Sequence, residues 1–149
     1  MTDVITADFV DLDLPPTTKQ DVTRSLAARL AAGGRVTDLE GFLADVAARE
    51  EQMPTGLEGG IGIPHARSSH VTEPTLAFGR CPAGVDFGAA DGPAHLVFLI
   101  AAPDGGGAEH MKILAALARR LVHASFREAL GQAPDAAAAA DLIRKEIAS

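Results

Sequence analysis

The run Leu96-Val97-Phe98-Leu99-Ile100 constrains the fold of this chain more than any other stretch. All five residues are apolar, without the in–out alternation of a strand that keeps one face wet. Such a strand belongs at the centre of a sheet covered on both sides, and helices must supply the covers. Helical patterns stand on either side of it in the chain. Val22, Leu26 and Leu30 share one helical face, behind a cap at Thr17 or Thr18 and ahead of Gly33-Gly34. Leu39, Phe42, Leu43 and Val46 repeat at i, i+3, i+4 and i+7 after the capping pair Thr37 and Glu40, which predicts a second helix to about Gln52. Beyond the apolar run, His110, Ile113, Leu114, Leu117 and Leu121 form the stripe of a helix over 108–122. Shorter helices fit 125–130 and 135–147.

Strand patterns are less regular. Residues 9–14 alternate apolar and acidic side chains until Pro15-Pro16 stops them. Residues 61–63, 76–80 and 95–101 also read as strands, with a short one at 85–87 between turns at Pro82-Ala83-Gly84 and 88–93. This spacing is too uneven for a strict β–α–β alternation. The expected fold class is α/β: a three-layer α/β/α sandwich with a mixed central β-sheet. A length of 149 residues suits a single domain over 1–149 with a real core.

Charge and cysteine content narrow the function. A net charge of −7 with no Lys/Arg cluster argues against nucleic acid and leaves room for a protein partner with a basic docking face. The lone Cys81 can form no internal disulfide, fits a reducing compartment and reads as a small buried hydrophobe. The N-terminus lacks a basic start followed by an apolar core. The longest strongly apolar run, 96–102, is far below the ~20 residues of a spanning helix. A cytoplasmic protein without direct membrane insertion is expected.

Chemistry concentrates in residues 55–67, where four glycines and Pro64 precede His65, and Arg67 follows two residues later. Proline fixes its own φ and pushes Ile63 towards an extended shape, so a short strand over 61–63 should end by presenting one imidazole in a preset direction. Among the five histidines, His110 also stands out. It opens a helix after three glycines, on that helix's core stripe, so it should point inward where unpaired N–H groups and the helix dipole favour an anion. His70, His95 and His123 carry no such signal. Arg49, in the last turn of the second helix, either pairs with a nearby carboxylate or forks onto phosphate oxygens. Arg67 has the same choice with less support. Glu50-Glu51 reads as a solvated helix end, and Glu58 as either a loop charge or a partner contact.

Several familiar motifs are missing. The glycine spacing matches neither a nucleotide P-loop nor a dinucleotide fingerprint, and neither G-x-S-x-G nor H-E-x-x-H occurs. His65, His110 and a carboxylate could bind zinc as a hydrolase would, but no close-spaced ligand pair supports that reading.

The segment Arg49-Glu50 … Thr55-Gly56 … Gly60-Ile61-Gly62-Ile63-Pro64-His65-Ala66-Arg67 closely resembles the signature of enzyme IIA domains of the fructose/mannitol class. These belong to the bacterial phosphoenolpyruvate-dependent sugar phosphotransferase system. Glu109-His110-Met111-Lys112-Ile113-Leu114, with Leu117-Ala118-Arg119, resembles that family's second histidine motif, and the resemblance covers nearly the whole chain. Gly62 stands where alanine is commoner, and Leu57-Glu58-Gly59 departs from the usual loop.

The resemblance implies that His65 is phosphorylated, through Nε2, with His110 and Arg49 in its pocket. It implies a phosphoryl donor, the carrier protein HPr, and an acceptor, a cysteine on a cognate IIB domain, through which the chain would associate with a membrane IIC component. Thr55 and the Gly59-Gly60 backbone are candidate lining of the phosphoryl pocket. Neither metal nor organic cofactor is required, because the charged groups are side chains. Uptake of sugar, with fructose first, is the expected role; the alternative is a nitrogen-type regulatory protein controlled by the phosphorylation state of His65.

Overall fold

The computed structural model describes residues 4–15, 18–52, 55–57, 59–89, 92–104, 107–121 and 123–148. A 3-10 turn (Ala7–Phe9) leads into β1 (Val10–Asp11), followed by helices α1 (Lys19–Ala32) and α2 (Leu39–Gln52). Next come β2 (Gly56–Leu57), β3 (Ile61–Gly62), β4 (His65–Ser68), β5 (Thr75–Val85) and β6 (Ala94–Pro103). Helices α3 (Gly107–Leu121), α4 (Ala124–Gly131) and α5 (Ala136–Ala148) follow.

The apolar run lies at the centre of the sheet, in β6, and Val97 to Ile100 are all fully buried. On one side β5 pairs with it antiparallel, and β1 adds in parallel beyond β5. Phe78 stands opposite Phe98 in this pairing, with ring centroids 4.9 Å apart. On the other side β6 takes two short parallel partners, β3 and β4, and β2 pairs antiparallel with β3. The sheet is mixed, as expected. Helices α1 and α2 pack together, on β5 and β4 respectively, while α3 and α4 pack on β6 and α5 on α3 and β1. The central strand is thus apolar from Leu96 to Ala102 because helices cover both sides of the sheet.

Four local expectations change. The strand over 9–14 shrinks to Val10–Asp11, because Phe9 closes the 3-10 turn and Asp11 Oδ1 accepts the Asp13 N–H at 3.0 Å. A side chain that binds its own backbone two residues on ends the ladder early. The short strand expected at 85–87 is instead the tail of β5, which rejoins β6 at Val85 after an irregularity beyond Arg80. The strand over 61–63 stops at Gly62. The cap of α2 is Asp38, whose Oδ1 accepts from Gly41 N at 3.1 Å, since Thr37 donates through both N and Oγ1 to His70 O. At α1, Thr18 accepts from Asp21 N at 3.2 Å and is the cap; Thr17, the other candidate, lies outside the described residues.

Candidate functional site

β3 and β4 form one lane beside β6, in one register: Ile61 faces Leu96, Gly62 faces Val97 and His65 faces Ile100. The lane is interrupted only at Ile63-Pro64. Pro64 has no N–H to give, although its carbonyl accepts from Ile100 N at 3.0 Å. Ile63 turns its N–H outward to Thr55 O at 3.1 Å. His65 starts β4 at this break, and its Nδ1 lies 2.8 Å from Ile63 O. A carbonyl only accepts, so Nδ1 carries the hydrogen and the neutral ring has its lone pair on Nε2. His65 is 8% exposed. It is held in a preset direction, as expected, but tucked deeper than a side chain displayed on a loop.

Helix α2 runs antiparallel to β4. Thr37, before its start, bonds His70, and one further on Asp45 Oδ2 accepts from Ser68 Oγ at 2.6 Å. Arg49 is one helical turn beyond Asp45 on the same face, at a rise of about 6 Å. Arg49 is half-buried in the last turn of α2. Arg67 is exposed, two residues along β4 from His65.

From the other layer, α3 begins just past the end of β6 and doubles back over it, with His110 in its first turn. The side chain of His110 lies outside the described residues, as do Glu58 and the glycines at 105–106. The first turn of α3 therefore stands at the end of the sheet where β4 lies, and its N–H groups are those that favour an anion.

Thr55 O meets the N–H of Ile63, two residues before His65, and the donors of Thr55 are already engaged. Both its hydroxyl and its backbone N–H donate to the Glu50 carboxylate, the latter at 3.4 Å. Lys19 Nζ adds a third donor at 3.3 Å. Thr55 is 9% exposed, and both its donors are spent on Glu50. Glu50, read from sequence as a solvated helix end, is equally buried. A signal for this existed: Glu50 is four residues after Val46 and so continues the buried stripe of α2.

Gly59 and Gly60 do not reach the site. Gly60 O accepts from His95 N and Leu96 N; His95 lies five residues along β6 from Ile100, the partner of His65, or about 16 Å at strand rise. Both glycines have positive φ, 97° and 76°, and shape the turn between β2 and β3. A Cβ on Gly59 would lie 2.9 Å from Arg127 Nε, so this turn packs under α4. Of the histidines without a sequence signal, His95 donates from Nδ1 to Cys81 O at 3.2 Å, and His123 precedes α4 as its N-cap residue. Cys81 is buried.

Residues 3–146 match the family described as "Phosphoenolpyruvate-dependent sugar phosphotransferase system, EIIA 2". The chain belongs to this family. It is a phosphotransferase component. It is similar to the fructose-specific EIIA component of Haloferax volcanii, 38% identical over 141 residues that span 94% of this chain and 92% of that protein. With the fructose-specific EIIABC component of Bacillus subtilis it shares 34% identity over 146 residues, 97% of this chain but only 23% of the relative. Its fold matches the nitrogen regulatory protein IIA-Ntr of Neisseria meningitidis with a TM-score of 0.86 at 28% identity, over 94% of this chain and 96% of that one. The enzyme IIA of a mannitol IIA–phosphorylated IIB complex from Escherichia coli matches at 0.77 and 26%, over 97% and 96%. Among the described residues of this EIIA chain, no helix is long and apolar enough to cross a membrane.

Proposed function

We propose that this EIIA chain carries a phosphoryl group on Nε2 of His65, taken from a phosphohistidine of HPr and given to a cysteine of a cognate IIB domain. The observation that carries the proposal is the Nδ1–H bond to Ile63 O, which leaves the ring's lone pair on Nε2. As Nε2 attacks phosphorus, its N–P bond forms while the donor's N–P bond breaks. The imidazole of His65 gains positive charge in that step, and the Ile63 carbonyl stabilises it by accepting the hydrogen bond from Nδ1–H. Phosphoryl transfer has a loose transition state with charge spread over three oxygens, so the remaining work is positioning and neutralisation. Arg49 and the first turn of α3, with His110, supply donors to those oxygens. Passage to IIB reverses the step, with a cysteine thiolate as the attacking group.

Fructose is the favoured sugar, because the Haloferax volcanii relative is fructose-specific and is matched over nearly its whole length. The mannitol IIA–IIB complex supports a IIB acceptor. The chain acts as one domain in the cytoplasm, touching a membrane IIC component only through IIB. Likeness to IIA-Ntr supports a second, regulatory reading. The two separate on transfer: incubation with phosphoenolpyruvate, enzyme I and HPr, then with sugar-specific IIB domains, yields phospho-IIB only for a transport component.

Mass spectrometry after the upstream incubation tests the acceptor. An acid-labile phosphate on His65, absent from His65→Ala, is expected. Equal labelling of the two proteins would place the acceptor elsewhere.

A further inference from the structure

We propose that Glu50 is a positioning residue for His65, acting through Thr55 and Ile63. This deepens the reading of His65 as phosphoryl acceptor and rests on it. The connection is continuous. Lys19 Nζ donates to Glu50 Oε2 at 3.3 Å, and Thr55 donates its hydroxyl to Glu50 Oε1 and its N–H to Oε2. Thr55 O then accepts Ile63 N–H at 3.1 Å, and Ile63 O accepts His65 Nδ1–H at 2.8 Å. Hydrogen bonds join Glu50 to Thr55, Thr55 to Ile63 and Ile63 to the imidazole, and within Thr55 and Ile63 the backbone from N–H to carbonyl connects one bond to the next.

Stability alone does not account for this arrangement. A carboxylate in the last turn of a helix opposes the helix dipole, and so does an ammonium in the first turn. Glu50 lies two residues before the end of α2, and Lys19 is the first residue of α1. Each charge sits at the helix end that disfavours it, and Glu50 is 9% exposed besides. Burying an ion pair brings little net stability, because desolvation offsets the attraction. Departures of this kind gather where a fold gives up stability for function. The gain here is a fixed carbonyl. Ile63 sits at the break between β3 and β4, where its N–H bonds Thr55 O and not β6, so the Glu50–Thr55 anchor holds the backbone on one side of Ile63 Cα and the planar Ile63–Pro64 peptide carries the carbonyl on the other. With that carbonyl held, Nδ1 keeps the hydrogen and Nε2 keeps the lone pair; with it loosened, the ring can exchange tautomers and lose its direction.

The test uses the full chain with Glu50→Gln, Thr55→Val, Thr55→Ser and the double variant Glu50→Gln/Thr55→Val. Nitrogen-15 NMR of the His65 ring reads the tautomer without any donor present, and kcat/KM for phosphoryl transfer from phospho-HPr is taken well below each melting temperature. Glu50→Gln and Thr55→Val should mix the two tautomers and slow transfer by about 10- to 100-fold, the size of effect expected from misplacing a reacting group. Thr55→Ser keeps the hydroxyl and should restore both readouts. The double variant should be no slower than the slower single, because the two residues act in series. Unchanged ring-nitrogen signals and unchanged rates in both single variants, with only the melting temperature lowered, would overturn the proposal. A wild-type chain that takes no phosphate on His65 would sink the function instead, and the ring-nitrogen comparison would still decide whether Glu50 orients the imidazole.

Discussion

Arg35, 7% exposed, makes clear that burial of a charged side chain is not itself a mark of chemistry. Its guanidinium donates to Thr75 Oγ1 at 3.0 Å, pairs with Glu73 at 3.3 Å and lies 5.1 Å from the centre of the Phe9 ring, so packing explains it fully. Glu50, Thr55 and His65 differ because their burial is connected, each to the next, and ends on an imidazole. Two measurements test how the site works at this level. Replacing His110 by Ala should slow phosphoryl transfer by about 10²–10³, the usual loss on removing one positioned donor to developing negative charge. Some labelling of His65 should remain, since the nucleophile is intact. Arg49→Lys should also slow transfer, because a single ammonium cannot reproduce the two-pronged contact of a guanidinium. Rapid-quench kinetics with phospho-HPr checks both, and wild-type rates would remove those side chains from the pocket.

The break between β3 and β4 depends on what packs behind it. A Cβ on Gly62 would lie 2.7 Å from Phe87 Cγ, so the ring of Phe87 occupies the space an alanine would need. This gives a physical reason for glycine where the family more often has alanine. Gly62→Ala should destabilise the fold by about 1–3 kcal/mol through overpacking, and a smaller residue at 87 should recover part of that loss. Urea denaturation of the single and paired variants reads the difference. Helix ends follow simpler rules. Asp38→Ala removes the acceptor for Gly41 N–H and should cost about 1 kcal/mol, while Thr37→Val should loosen the contact with His70 rather than uncap α2.

For the molecule as a whole, the decisive fact is a sheet with helices on both sides. Phe98 is fully buried in β6 against Phe78, so Phe98→Ala should cost about 3–5 kcal/mol and lower the melting temperature sharply in calorimetry. Local order is legible in the amino-acid sequence. The helical faces at 22, 26, 30 and at 42 and 46 are buried as their spacing requires, and the unalternating run is the central strand. Periodicity and proline are properties of neighbouring residues, so a linear reading captures them. The direction of the His65 mount likewise follows from Pro64 and the glycines around it. What a linear reading misses is what distant residues decide. Gly59 and Gly60 are close to His65 in the chain yet lie about 16 Å away along the lane, because an extended strand separates them. Thr55 is eight positions from Ile63 yet bonded to it, because the turn between β2 and β3 folds it back. Glu50 reads as a charge in water, whereas Thr55 and Lys19 meet it inside. Local sequence determines which way each element begins, ends and faces. Which polar groups meet across the chain is set only when the sheet register brings Thr55 to Ile63, because that pairing needs β2 and β3 side by side.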